Sequence, residues 1–313
     1  MSRAFVFPGQ GSQAVGMGKD LSDAFPAARE VFQEVDEALK QNLTKLMFEG
    51  PEDELTLTEN AQPALMAVSM AAMAVLKKEG GIEIANVASF VAGHSLGEYS
   101  ALAAAGTFSL GDAARLLKTR GQAMQQAVPV GEGAMAALLG LDLDVAQEVV
   151  DEAAGGDVLA TANDNAPGQV VVSGKREAVE RAVDVAKEKG AKRAMLLQVS
   201  APFHCPMMAP AADVMENALA EVEMLPPTVP LIANVTAGPV EDPAEIRRLL
   251  VEQVTGMVRW RECCMTMRSK GVETLVEVGA GKVLSGLARR IDRELSASNV
   301  GSPAGVEEFL STL

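Results

Sequence analysis

Gly93-His94-Ser95-Leu96-Gly97 places a serine between two glycines, an arrangement suited to nucleophilic chemistry. The apolar run from Val87 to Ala92 precedes it, and the small-residue run from Ser100 to Ala105 follows it. A tight strand-to-helix turn of this kind lifts a serine hydroxyl clear of the end of a strand, and only glycine fits beside the serine. We therefore predict a nucleophile elbow centred on Ser95. The alternative reading, a small residue where two backbones approach closely, predicts no chemistry.

A serine hydroxyl needs a base to accept its proton, and imidazole is the usual base. The chain has 2 histidines, His94 inside the motif and His204 far from it in sequence. His204 lies between Pro202 and Pro206 after a predicted strand, and strand ends are where sheet enzymes place catalytic groups. His94 competes for the role, but neighbouring side chains on a tight turn should point apart. We predict His204 as the general base.

The groups that would assist this pair have more than one interpretation in the sequence. No acid between Ser95 and His204 has a distinctive setting, so a backbone carbonyl could orient the imidazole in place of a carboxylate. The Gly-rich loop from Phe7 to Gln13 follows the first predicted strand, and its N–H groups could bind an oxyanion together with the N–H of Leu96. The loop lacks the Gly-Lys-Ser/Thr of a phosphate loop. A simple turn remains the alternative.

Composition limits the classes of protein that these residues could serve. With 313 residues, 48% of them hydrophobic, the chain should fold as one large domain or as a core with an insertion. The net charge of −15 argues against a nucleic-acid partner. No apolar run is long enough to cross a membrane and none resembles a signal peptide, so we expect a cytoplasmic protein. The 3 cysteines suggest neither a disulfide framework nor a metal site.

Strands that alternate with helices must position the elbow. Ala4 to Phe7, Val87 to Ala92, Val229 to Asn234 and Glu273 to Val278 read as strands, so we expect a mostly parallel sheet covered by helices on both faces. The segment from Pro63 to Leu76 is predicted to be a buried helix opened by its proline.

The pattern changes after Gly133. The order strand, helix, strand, strand, helix, strand is typical of a ferredoxin-like unit. Within it, short strands from Val158 to Ala162 and from Gln169 to Ser173 are predicted to flank a polar loop at residues 163–168. We therefore predict an inserted α+β subdomain at residues 129–198, within a large α/β catalytic core formed by residues 1–128 and 199–313.

Several motifs occur together in one order along the chain: Phe7-Pro8-Gly9-Gln10-Gly11, Gly93 to Ser100, Arg120-Gly121-Gln122-Ala123-Met124, Asn163 to Gly168, Ser200 to His204, and Glu277 to Leu284. In this respect the sequence resembles, from end to end, the malonyl-CoA:acyl-carrier-protein transacylases of bacterial fatty-acid synthesis. These belong to the acyltransferase family of fatty-acid and polyketide synthesis. The resemblance implies an α/β-hydrolase-like core with a mostly parallel sheet and an inserted ferredoxin-like subdomain.

The resemblance also implies a role for particular residues in a ping-pong transfer. Ser95 would carry the malonyl group as an ester and His204 would be the base. The main-chain N–H groups of Gln10 and Leu96 would form the oxyanion hole. Arg120 would bind the free carboxylate of the malonyl group.

The interpretation of Arg120 differs with and without the resemblance to the family. It ends the predicted helical run that begins at Ala113, where the helix dipole alone would explain an arginine. With the resemblance, a bidentate clamp on a carboxylate makes chemical sense. Asn163 matches a polar position near the site, and Gln253 matches the residue whose carbonyl orients the histidine. Phe203 would limit the room at the α-carbon of the acyl group.

The implied substrates are malonyl-CoA and a phosphopantetheinyl acyl carrier protein, with no bound cofactor and no metal. We expect a monomer that meets its acidic carrier protein transiently through a basic patch formed by Lys192-Arg193, Lys282 and Arg289-Arg290. Ordinary solvated surface is the alternative for each of these pairs. Two other functions stay open: a serine thioesterase or other hydrolase with water as acceptor, and a non-catalytic subunit that binds acyl-CoA.

Overall fold

The computed structural model describes residues 2–313. Its strands are β1 (Arg3–Phe7), β2 (Phe90–Gly93), β3 (Gly133–Leu139), β4 (Leu159–Ala166), β5 (Gln169–Lys175), β6 (Arg193–Leu196), β7 (Leu231–Ile232), β8 (Pro239–Val240), β9 (Thr274–Val278) and β10 (Ser296–Val300).

The helices before residue 130 are α1 (Lys19–Ala24), α2 (Pro26–Leu39), α3 (Leu43–Glu49), α4 (Glu52–Thr56), α5 (Thr58–Gly80), α6 (Ile84–Val87), α7 (Gly97–Ala104) and α8 (Leu110–Gln126). Those after it are α9 (Leu143–Ala153), α10 (Arg176–Glu188), α11 (Ala209–Ala220), α12 (Pro243–Thr255), α13 (Trp260–Ser269), α14 (Val283–Ile291) and α15 (Pro303–Leu310). Within residues 2–313, none of these helices has the length and apolar character to span a bilayer.

The larger sheet has the strand order β10-β9-β1-β2-β7-β8 and is parallel except where β7 pairs with β8. Side chains of β1 alternate between its two faces: Phe5 and Phe7 enter one apolar core, and Ala4 and Val6 enter another. Such alternation buries both faces of the central strand, as a helix-covered parallel sheet requires. β1 and β2 end side by side, with Phe7 opposite Gly93, so the loops that follow them lie together.

The smaller sheet is antiparallel, with the order β4-β5-β3-β6, and helices α9 and α10 pack on it. Its succession β-α-β-β-α-β and this strand order are those of the ferredoxin-like fold. It has an apolar core of its own that includes Val170, Val172 and Val179. It is also joined to the larger unit, because the backbone of β4 exchanges hydrogen bonds with Val258. The chain limits predicted for the two units, at residues 128/129 and 198/199, stay a prediction.

Four elements differ from the sequence-based expectations. Of the strand predicted from Val229 to Asn234, only Leu231–Ile232 forms β7. α5 begins at Thr58, so Pro63 lies inside the helix instead of opening it. The strand predicted from Val87 begins only at Phe90, because residues 84–87 form α6. The segment predicted as a polar loop belongs mostly to β4, which pairs with β5 as far as Ala166 despite two register shifts. Asn163 therefore lies on a strand.

Candidate active site

The turn after β2 carries Ser95 in a left-handed backbone conformation, with φ 54°. This conformation is unfavourable for a residue with a side chain and is held only where its surroundings impose it. Gly93 and Gly97 make the turn possible. A Cβ on Gly93 would overlap the backbone of Gly97, and a Cβ on Gly97 would overlap the backbone carbonyl of Phe7. The local geometry is therefore that of the nucleophile elbow.

Ser95 and His204 lie in hydrogen-bond contact, with 2.8 Å between Oγ and Nε2. Nδ1 of His204 lies 2.9 Å from the carbonyl oxygen of Gln253 and 3.2 Å from that of Gly256. Because carbonyls only accept hydrogen bonds, these contacts require the proton on Nδ1 and leave Nε2 free to accept the proton of Ser95. The ring is thus oriented by backbone carbonyls, the alternative to a carboxylate that the sequence left open.

His204 is 4% exposed, and burial lowers its pKa to about 3, with a further lowering by the positive charge of Arg120. Burial disfavours the imidazolium, and a nearby cation disfavours it again. The ring is therefore neutral at physiological pH, the state in which it can act as a base.

His94, the competing base, makes other contacts. Its Nε2 lies 2.8 Å from Oδ1 of Asn165, and its ring lies 5.7 Å from that of Trp260. Burial lowers its pKa as well. Of the two histidines, His204 is the one hydrogen-bonded to Ser95 Oγ.

Arg120 reaches the same serine from α8. Its guanidinium is 1% exposed and donates to Oγ of Ser95 at 3.1 Å, to Oε1 of Gln62 at 2.9 Å and to Oε1 of Gln253 at 2.9 Å. The helix runs on to Gln126, so Arg120 lies well before its end. The helix dipole acts mainly within the last turn, and it does not explain this arginine. No carboxylate contacts the guanidinium among the described residues, which suits it to bind an acidic group of a ligand.

A cavity of about 300 Å³ opens over Ser95. Gln10, Leu96, Asn163 and Phe203, which the sequence assigned to oxyanion and substrate binding, all line it. The backbone N–H groups of Gln10 and Leu96 have no protein acceptor within the described residues, so both are free to meet a ligand oxygen. Gln253 lies behind this lining and is fully buried. The structure thus brings every predicted site residue to one place, while their roles stay predictions.

Sequence reasoning missed three buried polar residues around the cavity, of which Gln62 lines it and Asn234 and Glu98 do not. Gln62 holds Arg120, as described above. Asn234 accepts a hydrogen bond from the N–H of Ser95 at 2.8 Å and donates to the carbonyl of Gly93 at 2.7 Å. Glu98 accepts from the side chain of Gln253. The available signal was a polar side chain within an apolar stretch, which marks a special environment but does not say what the residue contacts.

No three histidine, cysteine or acidic side chains are grouped to hold a metal ion anywhere in residues 2–313. The chemistry that the site offers comes from its own hydroxyl, imidazole, guanidinium and backbone N–H groups. This set suits acyl transfer through a serine ester to or from a ligand that carries a negative charge.

Known proteins that are similar to this chain in sequence and fold are named for acyl transfer. Residues 4–301 match the family described as the acyl transferase domain. The malonyl CoA-acyl carrier protein transacylase of Bacillus subtilis (strain 168) is 47% identical over 311 residues, which cover 99% of this chain and 96% of the relative.

Solved structures agree with this result. The acyl-carrier-protein-S-malonyltransferase of Bartonella henselae is 57% identical, with a TM-score of 0.98 over 100% of this chain and 99% of that one. A type II PKS acyl-carrier protein in complex with its malonyl-transacylase gives 43% identity and a TM-score of 0.96, covering 100% of both chains. These likenesses confirm the predicted fold class, an α/β-hydrolase-like core with an inserted ferredoxin-like subdomain.

Proposed function

This chain belongs to the acyl transferase family, and we propose that it moves malonyl from CoA to the phosphopantetheine thiol of acyl carrier protein through an ester on Ser95. The family predicted from the sequence motifs is confirmed by the match over residues 4–301. The protein is an acyltransferase, and relatives named for malonyl transfer match it over nearly their whole length.

The contacts of one atom carry the proposed mechanism. Oγ of Ser95 lies 2.8 Å from the Nε2 of His204 and 3.1 Å from a guanidinium nitrogen of Arg120. A nucleophile, a neutral base and a buried cation therefore meet at one point. A hydrolase of neutral esters needs the first two only. The buried cation supports an acyl group that bears its own carboxylate.

In the first half-reaction, Ser95 Oγ bonds to the thioester carbonyl carbon of malonyl-CoA while its proton moves to Nε2 of His204. The carbonyl oxygen becomes an oxyanion, which the N–H groups of Gln10 and Leu96 would stabilise. The carbon–sulfur bond then breaks, and the CoA sulfur takes the proton from His204. Arg120 holds the distal carboxylate throughout and so fixes the acyl group at the cavity.

The second half-reaction runs the same steps with a new thiol. The carrier-protein thiol gives its proton to His204 and bonds to the ester carbonyl carbon. The bond to Ser95 Oγ breaks, and Oγ recovers the proton from Nε2. The malonyl ester must outlast the exchange of CoA for carrier protein, so water must be kept from productive attack in between.

Mass spectrometry of the protein mixed with malonyl-CoA alone tests this proposal. We expect the mass of one malonyl group on the peptide that contains Ser95 and none in the Ser95→Ala control. The ester should pass to added holo acyl carrier protein much faster than to water. Absence of malonyl on that peptide would overturn the covalent mechanism.

The same experiment separates the two other functions. A thioesterase would release CoA steadily from malonyl-CoA without any carrier protein. A binding subunit would retain malonyl-CoA in a stoichiometric complex and form no ester. The three aligned groups at Ser95 Oγ favour the transferase over the binding subunit, since binding alone needs no oriented imidazole.

The contacts of α14 support a docking patch beside the cavity. Gly281, just before this helix, lies against Ser12 of the loop that carries Gln10. Arg289 lies roughly 10 Å further along the chain direction of the helix. Its neighbour Arg290 donates to Gln169 of the smaller sheet. Basic side chains therefore run from the cavity to the smaller unit, a path that suits an acidic carrier protein.

Other features of the protein stay predictions. We propose that residues 129–198 form a distinct unit inserted between residues 1–128 and 199–313. A monomeric state, the absence of a bound cofactor and a cytoplasmic location are likewise proposed, and sedimentation, native mass spectrometry and cell fractionation test them in turn.

A further inference from the structure

Glu98 is a buried carboxyl group that the proposed mechanism does not use. It lies in the first turn of α7 and is 1% exposed. One of its oxygens accepts from Nε2 of Gln253 at 2.5 Å and from the backbone N–H of Asn234 at 3.4 Å. Burial of a carboxyl group is costly unless hydrogen bonds compensate it. A buried carboxyl group so near the nucleophile is therefore a candidate for a role in the site.

The side-chain amide of Gln253 connects this carboxyl group to the site above. Its Nε2 donates to Glu98, to the carbonyl of Ser95 at 3.0 Å and to Oδ1 of Asn234 at 3.3 Å. Its Oε1 accepts from the guanidinium of Arg120 at 2.9 Å. The two ends of an amide are not interchangeable, because one only donates and the other only accepts. Acceptors surround Nε2, whereas the donor Arg120 faces Oε1.

Rotation of this amide by half a turn would set its NH₂ group against the guanidinium, donor against donor. Glu98 opposes that rotation because its oxygen accepts from Nε2. On the other side of Arg120, the Oε1 of Gln62 accepts from Nη1 at 2.9 Å. The guanidinium is thus held between two amide oxygens, and Glu98, at the shortest of the three Nε2 contacts, supports the orientation of one of them.

We propose, on the premise of the malonyl transfer proposed above, that Glu98 is a positioning residue that sets the preference for carboxylated acyl groups. It holds the Gln253 amide in the one orientation that aims the Arg120 guanidinium at the cavity. Glu98 does not touch the substrate and acts only through Gln253. Gln253 then has two functions: its backbone carbonyl orients His204, and its side chain orients Arg120.

The charge state of Glu98 is compatible with this arrangement. Burial raises its pKa to about 8, against the lowering effect of Arg120 on α8 and of its hydrogen bonds. Its other titratable neighbours are Tyr99 on its own helix and Cys263 on α13. A neutral carboxyl group still accepts the Gln253 hydrogen bond, and it leaves Arg120 without an internal counter-charge for the acyl carboxylate to displace.

Two substitutions at this position separate positioning from folding. Glu98→Gln keeps the accepting oxygen and the size, whereas Glu98→Leu keeps the size and removes the acceptor. The measurement is the rate of Ser95 acylation by malonyl-CoA and by acetyl-CoA, with kcat and KM taken separately. For Glu98→Leu we expect the ratio of malonyl to acetyl kcat/KM to fall at least tenfold, mainly through KM for malonyl-CoA. For Glu98→Gln we expect a ratio within about threefold of the parent protein.

Gln253→Met gives a second route if Glu98→Leu does not fold. It removes the amide and keeps the backbone carbonyl at His204, so it should reduce the same ratio at least tenfold. Equal losses on both acyl-CoA substrates in Glu98→Leu and Gln253→Met would overturn the proposal. So would a Glu98→Gln variant as unselective as Glu98→Leu. The unsubstituted protein is the reference: lack of a malonyl ester there would reject the proposed function, whereas a normal ester with unchanged ratios in the variants would reject only the role of Glu98.

Discussion

At the scale of single residues, the proposed clamp assigns the choice of acyl group to Arg120. Replacement by alanine removes the only lysine or arginine side chain among the cavity-lining residues, and with it the charge that would pair with the distal carboxylate. Charge-assisted hydrogen bonds to a buried carboxylate contribute about 1.5–3 kcal/mol each, so we expect kcat/KM for malonyl-CoA to fall a hundredfold or more. Acetyl-CoA, which has no such carboxylate, should react as well as before or better. Acylation rates with the two substrates measure this, and equal losses on both would contradict the clamp.

Arg120→Ala should also change the pH dependence of kcat/KM for acylation. The pKa of His204 is lowered to about 3 by burial and by the charge of Arg120. The acid limb of kcat/KM reports the base of the free enzyme, and this base acts only when neutral. For an acetyl thioester of N-acetylcysteamine, we expect acylation to be nearly flat between about pH 5 and pH 7. Arg120→Ala removes one lowering cause, so its limb should lie at higher pH. A limb at the ordinary histidine pKa in both proteins would contradict this electrostatic coupling.

Sequence reasoning at this scale proposed Ser95 and His204, which the structure places in hydrogen-bond contact, but it missed some of the buried polar residues around them. With 2 histidines in the chain and one of them beside the serine, His204 was the available distant base. Asn234 and Glu98 could not be assigned in the same way. The role of each residue depends on a partner that is distant in sequence. Asn234 bonds to the N–H of Ser95, and Glu98 bonds to the side-chain amide of Gln253. A single sequence shows such residues as polar, but their contacts depend on the fold.

At the scale of elements, the elbow depends on how closely α7 approaches β1. Gly97→Ala would drive a Cβ into the backbone carbonyl of Phe7 and to 2.9 Å from that of Pro8. Backbone atoms cannot yield as side chains do, so we expect a loss of about 3 kcal/mol or more in the free energy of unfolding, together with loss of acylation. Urea unfolding measures the loss of stability.

Gly286→Ala in α14 is the matched control, since a Cβ there would meet nothing within 4 Å. Alanine in a helix interior should stabilise the protein by about 0.5–1 kcal/mol relative to glycine. Equal unfolding midpoints for the two variants would show that the elbow tolerates a side chain at Gly97.

The start of helix α5 differs from the one predicted from the sequence, and packing explains the difference. Proline inside a helix costs about 3 kcal/mol, so a start at Pro63 was the natural prediction. The helix nevertheless begins at Thr58, and residues on both sides of the proline are fully buried, among them Ala61 and Leu65. Tertiary packing of this kind overrides local propensity. The turn added before Pro63 has a consequence for the site, because it carries Gln62 to Arg120.

At the scale of the whole molecule, the sequence predicted the two sheets but not their junction. Alternating strands and helices indicated the parallel sheet, and the order β-α-β-β-α-β indicated the ferredoxin-like unit. The junction rests on contacts between distant segments: the backbone of Asn163 pairs with Val258, and the buried Asp164 pairs with Arg261 at 2.8 Å. The hydrophobic periodicity of a sequence does not predict such contacts. They bring Asn163 to the cavity although it belongs to the smaller sheet.

The proposed docking patch would belong to both units together, and charge reversal tests it. Lys192, Lys282 and Arg289 are exposed and form no ion pair with any other described residue, so their charges are free to meet an acidic partner. In Lys192→Glu and Arg289→Glu we expect KM for acyl carrier protein to rise about fivefold or more at low salt, with the difference shrinking as ionic strength increases. Acylation by malonyl-CoA alone should stay unchanged, which separates carrier docking from CoA binding.

Lys78→Glu supplies the matched control for these reversals. Lys78 is exposed and lies in the last turn of α5, about 24 Å along the helix from Gln62, which lines the cavity. Lys78→Glu changes the net charge by the same amount as Lys192→Glu and Arg289→Glu. A similar rise in KM in all three variants would therefore reflect overall charge and not a patch. Carrier-protein kinetics unchanged by Lys192→Glu and Arg289→Glu at low salt would place docking elsewhere on the surface. A rise confined to those two variants requires the carrier protein to span α14 and the smaller sheet at once, because Arg289 and Lys192 belong to different units of the fold.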